Sequence, residues 1–178
     1  MDVLAHIRLL AKYNRWMNDK LYEAAATLPH EQLALDRGAF FKSILGTFNH
    51  LVVTDIVWMH RLGTHPARHH AVEPALRMPR PEALDLVLHE DLPSLSATRR
   101  ALDDIFIAWT DEIALPDLDV AIDYRNMKGV AQRKLFGSLV LNLFNHHTHH
   151  RGQATTLLTQ AGAEVGVTDL LALIPDVA

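Results

Sequence analysis

"FNHHTHHRGQ", from Phe144 to Gln153, places four of the chain's 12 histidines within five consecutive positions. Read as helix at 100° per residue, it sets His146 and His150 about 40° apart on one face, the spacing at which two imidazoles converge on one ion. Gln153, Asn142 and Leu139 share that face, His149 sits at its edge, His147 lies on the other side, and Arg151 points well away. Two ligands make a weak site, because a catalytic zinc takes three protein ligands and keeps an open position. The stretch therefore calls for a third donor on another helix.

The surrounding sequence supplies helices. Apolar residues at a 3.6 period predict a long helix over about 133–160, stopped by Gly162. In the first segment, Val3, Leu4, Ile7, Leu10, Ala11, Trp16, Met17, Leu21 and Ala24 keep the same period up to Leu28-Pro29. A second stripe, Ile44, Leu45, Phe48, Leu51, Val52, Ile56 and Met59, runs from about Phe41 to Leu62 and ends at Gly63-Thr64-His65-Pro66. Residues 63–81 hold four prolines and read as a loop. A third helix is expected from after Pro81 to about Ile113, with Pro93 kinking or breaking it. "VAIDYRNMKG" alternates and predicts a brief extended or hairpin segment before the last long helix. The tail "VTDLLALIPDVA" has room for one short helix before Pro175. The fold class expected is all-α, a four-helix bundle with a long crossover connection, in a single domain over 1–178.

Composition narrows the chemistry. Without cysteine there is no disulfide, thiolate ligand or cysteine nucleophile. A formal net charge of −4 argues against a nucleic-acid face. The small cluster Arg125, Lys128, Arg133 and Lys134 reads as a solvated loop and helix start. No stretch approaches the length of a membrane-spanning helix, and the first residues have no signal-peptide layout, so the expectation is a cytoplasmic protein that does not contact the membrane. Glu-x-x-His, His-Glu-x-x-His, Gly-x-Gly-x-x-Gly, P-loop and Gly-x-Ser-x-Gly motifs are all missing. Carboxylate di-iron, zincin, nucleotide-binding and serine-hydrolase readings therefore have no support.

The third donor is sought in "GTFNHLVVTD", where His50 lies mid-helix beside an apolar stripe. On its face lie Ser43, Gly46, Thr54 and Val57. Gly46 costs about 1 kcal/mol in a helix interior relative to alanine, and small side chains there would leave a hollow beside the imidazole. His50 reads equally as a ligand or as a core histidine bonded to a carbonyl. His65, His69 and His70 read as solvated loop residues, and His6, His30, His60 and His89 lack a partner at ligand spacing.

Four stretches together, "YNRWMNDKLYEAAATLP", "SILGTFNHLVVTDIVWMHRL", "YRNMKG" and "NHHTHHRGQATTLLTQAG", resemble the DinB/YfiT-like superfamily of damage-inducible, metal-dependent helical bundles. The resemblance covers nearly the whole chain. It implies a four-helix bundle, often a homodimer, with a divalent transition metal held by three histidines at the positions of His50, His146 and His150. Zinc or nickel is expected first, with iron, manganese or copper also compatible with all-nitrogen ligation. Some relatives are transferases that use low-molecular-weight thiols. The resemblance therefore implies a metal-dependent transferase or hydrolase acting on a small molecule, with a water or a thiol cosubstrate activated at the ion. The alternative is a noncatalytic metal-binding stress protein. No catalytic side chain beyond the ligands is assigned. Gln153 and Asn49 or Asn145 are candidates to orient the ligands.

Overall fold

Asp2 starts the first helix by accepting the Leu4 amide at 3.0 Å, one of the orphan donors of a helix N-terminus. This helix, α1 (Val3–Ala25), buries Ile7, Ala11, Asn14, Met17, Asn18, Leu21 and Tyr22 on one face. The computed structural model describes residues 2–176. Along them follow α2 (His30–Ala34), α3 (Ile44–Leu62), α4 (Glu73–Leu76), α5 (Leu92–Glu112), β1 (Ala121–Arg125), β2 (Ala131–Leu135) and α6 (Phe136–Gln160), with three short 3₁₀ turns.

The long helices α1, α3, α5 and α6 form the bundle. α1 packs on α5 and α6, and so does α3. α1 and α3 therefore occupy opposite corners, as do α5 and α6. Phe48, Phe106, Trp109, Phe136, Leu95, Leu102 and Leu143 fill the space between them. None of the helices among the described residues is long and apolar enough to cross a membrane.

The predicted third helix starts ten residues late, at Leu92. Asp91 caps it by accepting the Ser94 amide at 2.8 Å, and Pro93 occupies its first turn rather than kinking it. Proline lacks an N–H and clashes with the carbonyl four residues back, so only the first turn admits it. Residues 82–87 are instead an exposed non-helical stretch, although Leu84, Leu86 and Val87 mimic helical periodicity. The expected hairpin does form, pairing Ala121 with Leu135 through Arg125 with Ala131, antiparallel. It extends to residue 135 and so moves the start of the last helix from 133 to Phe136. Val120 carbonyl accepts the Phe136 amide at 2.8 Å, serving this helix in place of a side-chain cap. Residues 63–81, expected to be loop throughout, hold a 3₁₀ turn (His70–Val72) and α4. The short tail helix appears as a 3₁₀ turn over Leu170–Leu173.

Candidate metal centre

His50 comes from the middle of α3, while His146 and His150 come from adjacent turns of α6. Packing of α3 on α6 brings one donor nitrogen from each to within 4.8 Å of the others. His50 Nε2 and His146 Nε2 stand 3.4 Å apart. That is close to the edge of a tetrahedron with metal–nitrogen bonds of about 2.0–2.1 Å, roughly 3.3–3.4 Å.

The remaining ring nitrogens fix which lone pairs are free. His50 Nδ1 donates to Leu84 carbonyl at 2.8 Å, and His150 Nδ1 donates to Gln153 Oε1 at 2.8 Å. Both rings therefore carry their proton on Nδ1 and offer Nε2, the arrangement common to metal-ligating histidines. His146 Nδ1 is buried without a partner. Burial, then the neighbouring imidazoles, pushes His146 down to about 3. Burial also takes His150 down to about 4 against its bond to Gln153, and lowers His50. Three neutral imidazoles with converging lone pairs suit a divalent cation, and the residues present fit one. Of the residues considered for orienting the ligands, Gln153 bonds the ring of His150. Asn145 is exposed, and among the described residues its side chain makes no hydrogen bond to any of the three.

Gly46 leaves no hollow. A Cβ there would come within 2.0 Å of Phe41 carbonyl, so the glycine admits the backbone of the preceding loop. That loop turns tightly through Lys42, at a φ of 65°, and lays the Phe41 ring flat on His50 with centroids 3.7 Å apart. Asn49 acts at one remove. Its Oδ1 accepts the amides of Leu88 and His89 at 2.8 and 3.0 Å, and its Nδ2 donates to His89 carbonyl. Neighbouring residues 49 and 50 thus grip the 84–89 stretch and hold Leu84 carbonyl against His50. A cavity of about 570 Å³ opens on the three imidazoles, with Phe40, Phe41, Leu84 and Asp85 on its wall.

Sequence reasoning missed what lies beneath. His147, turned to the other side of α6, is fully buried and donates from Nε2 to Asp55 Oδ1 at 2.5 Å. Asp55 also pairs with Arg99, which pairs with Asp103. Asp103 accepts from Asn14 and Asn18, and Arg151 donates to Asn14. Burial pushes Asp55 up, but His147 and Arg99 outweigh it and hold the carboxyl below its ordinary value. Burial lowers His147 against the opposing pull of Asp55. Burial raises Asp103 against the pull of Arg99 and Asn18, and the network touches all four long helices. The available signal was a set of polar residues on apolar stripes: Asn14 and Asn18, Asp55, Arg99 and Asp103.

A second group corrects the expectation for the loop histidines. His65 and His69 are 2% and 8% exposed and stand with Asp117. His69 Nε2 donates to Asp117 Oδ2 at 3.1 Å and its Nδ1 accepts from Trp109. His65 Nε2 donates to Asp117 carbonyl and its Nδ1 accepts the Ala67 amide. Every ring nitrogen is committed, so the two histidines pin the loop, His69 to Trp109 of α5, and neither ring has a free lone pair for an ion. His70 is exposed, as expected.

Against known proteins, the profile of the DinB family matches residues 1–175. Protein DinB of Bacillus subtilis (strain 168) is 24% identical over 160 residues, covering 90% of this chain and 88% of that protein. No solved structure matches the chain.

Proposed function

The chain belongs to the DinB family, and from that premise we propose that it is a metal-dependent enzyme that transfers or hydrolyses a group on a small molecule. His50, His146 and His150 hold one divalent transition ion, zinc or nickel. Such an ion supplies Lewis acidity and brings a water or a small thiol towards ionisation near neutral pH. With no cysteine in the chain, any thiol is a cosubstrate.

The observation that carries the reading is the cavity, which opens directly on the three imidazoles. A structural ion is closed in by four protein ligands, whereas these three donors face space large enough for a small substrate. The chain's own residues prepare the site. Leu84 carbonyl and Gln153 keep the protons of His50 and His150 on Nδ1. Phe41 covers one face of His50 and keeps water from it. Low proton affinity leaves the imidazoles neutral, so protons do not compete for their lone pairs at pH 7.

The test is a screen of protein loaded with zinc or nickel for group transfer to small thiols and for hydrolysis of small esters and amides. The reading expects turnover that disappears in His150→Ala. Activity retained in that variant contradicts it.

A further inference from the structure

The wall of the cavity carries one formal charge besides the histidines, the carboxylate of Asp85. Lysine and arginine do not line it. Asp85, Phe40 and Phe41 also line an adjoining cavity of about 600 Å³, whose wall includes Lys42, Asp36 and Glu90. The three therefore stand where the two spaces meet. Among the described residues the Asp85 carboxylate makes no hydrogen bond or ion pair. Asp85 is exposed, but its backbone follows Leu84, whose carbonyl binds His50, in the stretch that Asn49 grips.

Phe40 is the second unexplained feature. Its side chain is 86% exposed and meets Phe41 edge to face, with centroids 4.8 Å apart. The turn that presents it carries Lys42 in the left-handed region, an uncommon conformation for a residue with a Cβ. Strain of this kind persists at ligand clamps, where the surroundings enforce it. Two aromatic rings at a corner and a carboxylate on the wall of the same cavity are the elements that recognise an alkylammonium group, through the ring quadrupoles and a counter-charge.

We propose that the cavity selects a substrate with a cationic amine or quaternary ammonium end, bound between Asp85 and the Phe40–Phe41 corner, and an apolar body that reaches towards the three histidines. The assignment of the reacting end rests on the metal reading above; the assignment of the ammonium end does not. Apart from the ion on the three histidines, an anionic substrate meets no counter-charge on this wall.

Two probes matched in size and opposite in charge test it: benzyltrimethylammonium, which has no lone pair to offer an ion, and benzenesulfonate. Their dissociation constants are measured by NMR titration on zinc-treated wild type, Asp85→Asn and Phe40→Ala, with zinc content read in the same samples. Asp85→Asn is expected to weaken the ammonium probe roughly fivefold, and Phe40→Ala about threefold. Sulfonate binding should stay unchanged or tighten in Asp85→Asn. No detectable ammonium binding to wild type, or an equal response of both probes to Asp85→Asn, overturns the proposal. Lack of zinc in wild type would overturn the metal reading alone, because the contrast between probes still decides the role of Asp85.

Discussion

His147 Nε2 lies 2.5 Å from Asp55 Oδ1, inside a fully buried network that joins α1, α3, α5 and α6. His147 directly follows His146, and Asp55 is five residues beyond His50 on α3. The pair therefore fixes the register of α3 against α6, and with it the approach of the three imidazoles above. Asp55 also pairs with the buried Arg99, and removing one partner of a buried ion pair leaves a charge uncompensated, at a cost of about 3–5 kcal/mol. Asp55→Ala should lower stability by that order in urea unfolding and weaken metal uptake at the same time. A change below about 1 kcal/mol, the scale of an exposed pair, would show that the network does not hold the register.

Stability should depend on pH with a defined sign. In the unfolded metal-free chain an imidazole binds its proton near 6.5, whereas in the folded state His146 does so at about 3 and His150 at about 4. Between those limits the unfolded state carries more protons, so stability rises with pH. The metal-free protein should be at full stability from these groups above pH 6.5 and lose it progressively towards pH 4. Thermal unfolding across that range checks this, and His146→Ala should flatten the slope. An equal slope in the variant would place the effect elsewhere.

Zinc should raise the unfolding temperature of wild type and leave that of His50→Ala nearly unchanged. A ligand at a hundred times its dissociation constant stabilises by about 2.7 kcal/mol if the unfolded chain does not bind it. Equal shifts in both proteins would mean that zinc binds outside the triad.

Gly46→Ala separates the two readings of that glycine. If it left a hollow, alanine would be tolerated and would favour the helix. With Phe41 carbonyl 2.0 Å from the added Cβ, the loop must move, an overpacking cost of about 1–3 kcal/mol. Loss of stability together with exposure of His50 is the expected outcome of unfolding and chemical-modification measurements. A stabilised variant would argue against the close packing.

His69→Ala should lower stability without changing metal content, since all four ring nitrogens of His65 and His69 are already bonded. Metal lost from this variant would make the loop group a second site.

The bundle was legible because α1, α3 and α6 repeat apolar residues at the helical period. It was misread at 82–91, where leucines and a valine imitate that period in an exposed stretch and only Pro93 reveals the true start. His146 and His150 stand out by their i,i+4 spacing; His50, beside an apolar stripe, reads equally as ligand or core histidine, and only the resemblance to the family joins it to the pair. Phe41 on His50 and Leu84 carbonyl beneath it were hidden, since both come from loops whose path is set by tertiary contacts. The same cause hid His65 and His69: a proline-rich loop reads as solvated until α5 and Asp117 cover it. The role of His147 required knowing that Asp55 faces α6.

The most direct measurement is elemental analysis of untagged protein after incubation with zinc and nickel, wild type beside His50→Ala and His150→Ala. A single three-histidine site predicts about one equivalent of ion in wild type and a sharp loss in each variant. Undiminished stoichiometry in either variant, or no ion in wild type, would contradict the account.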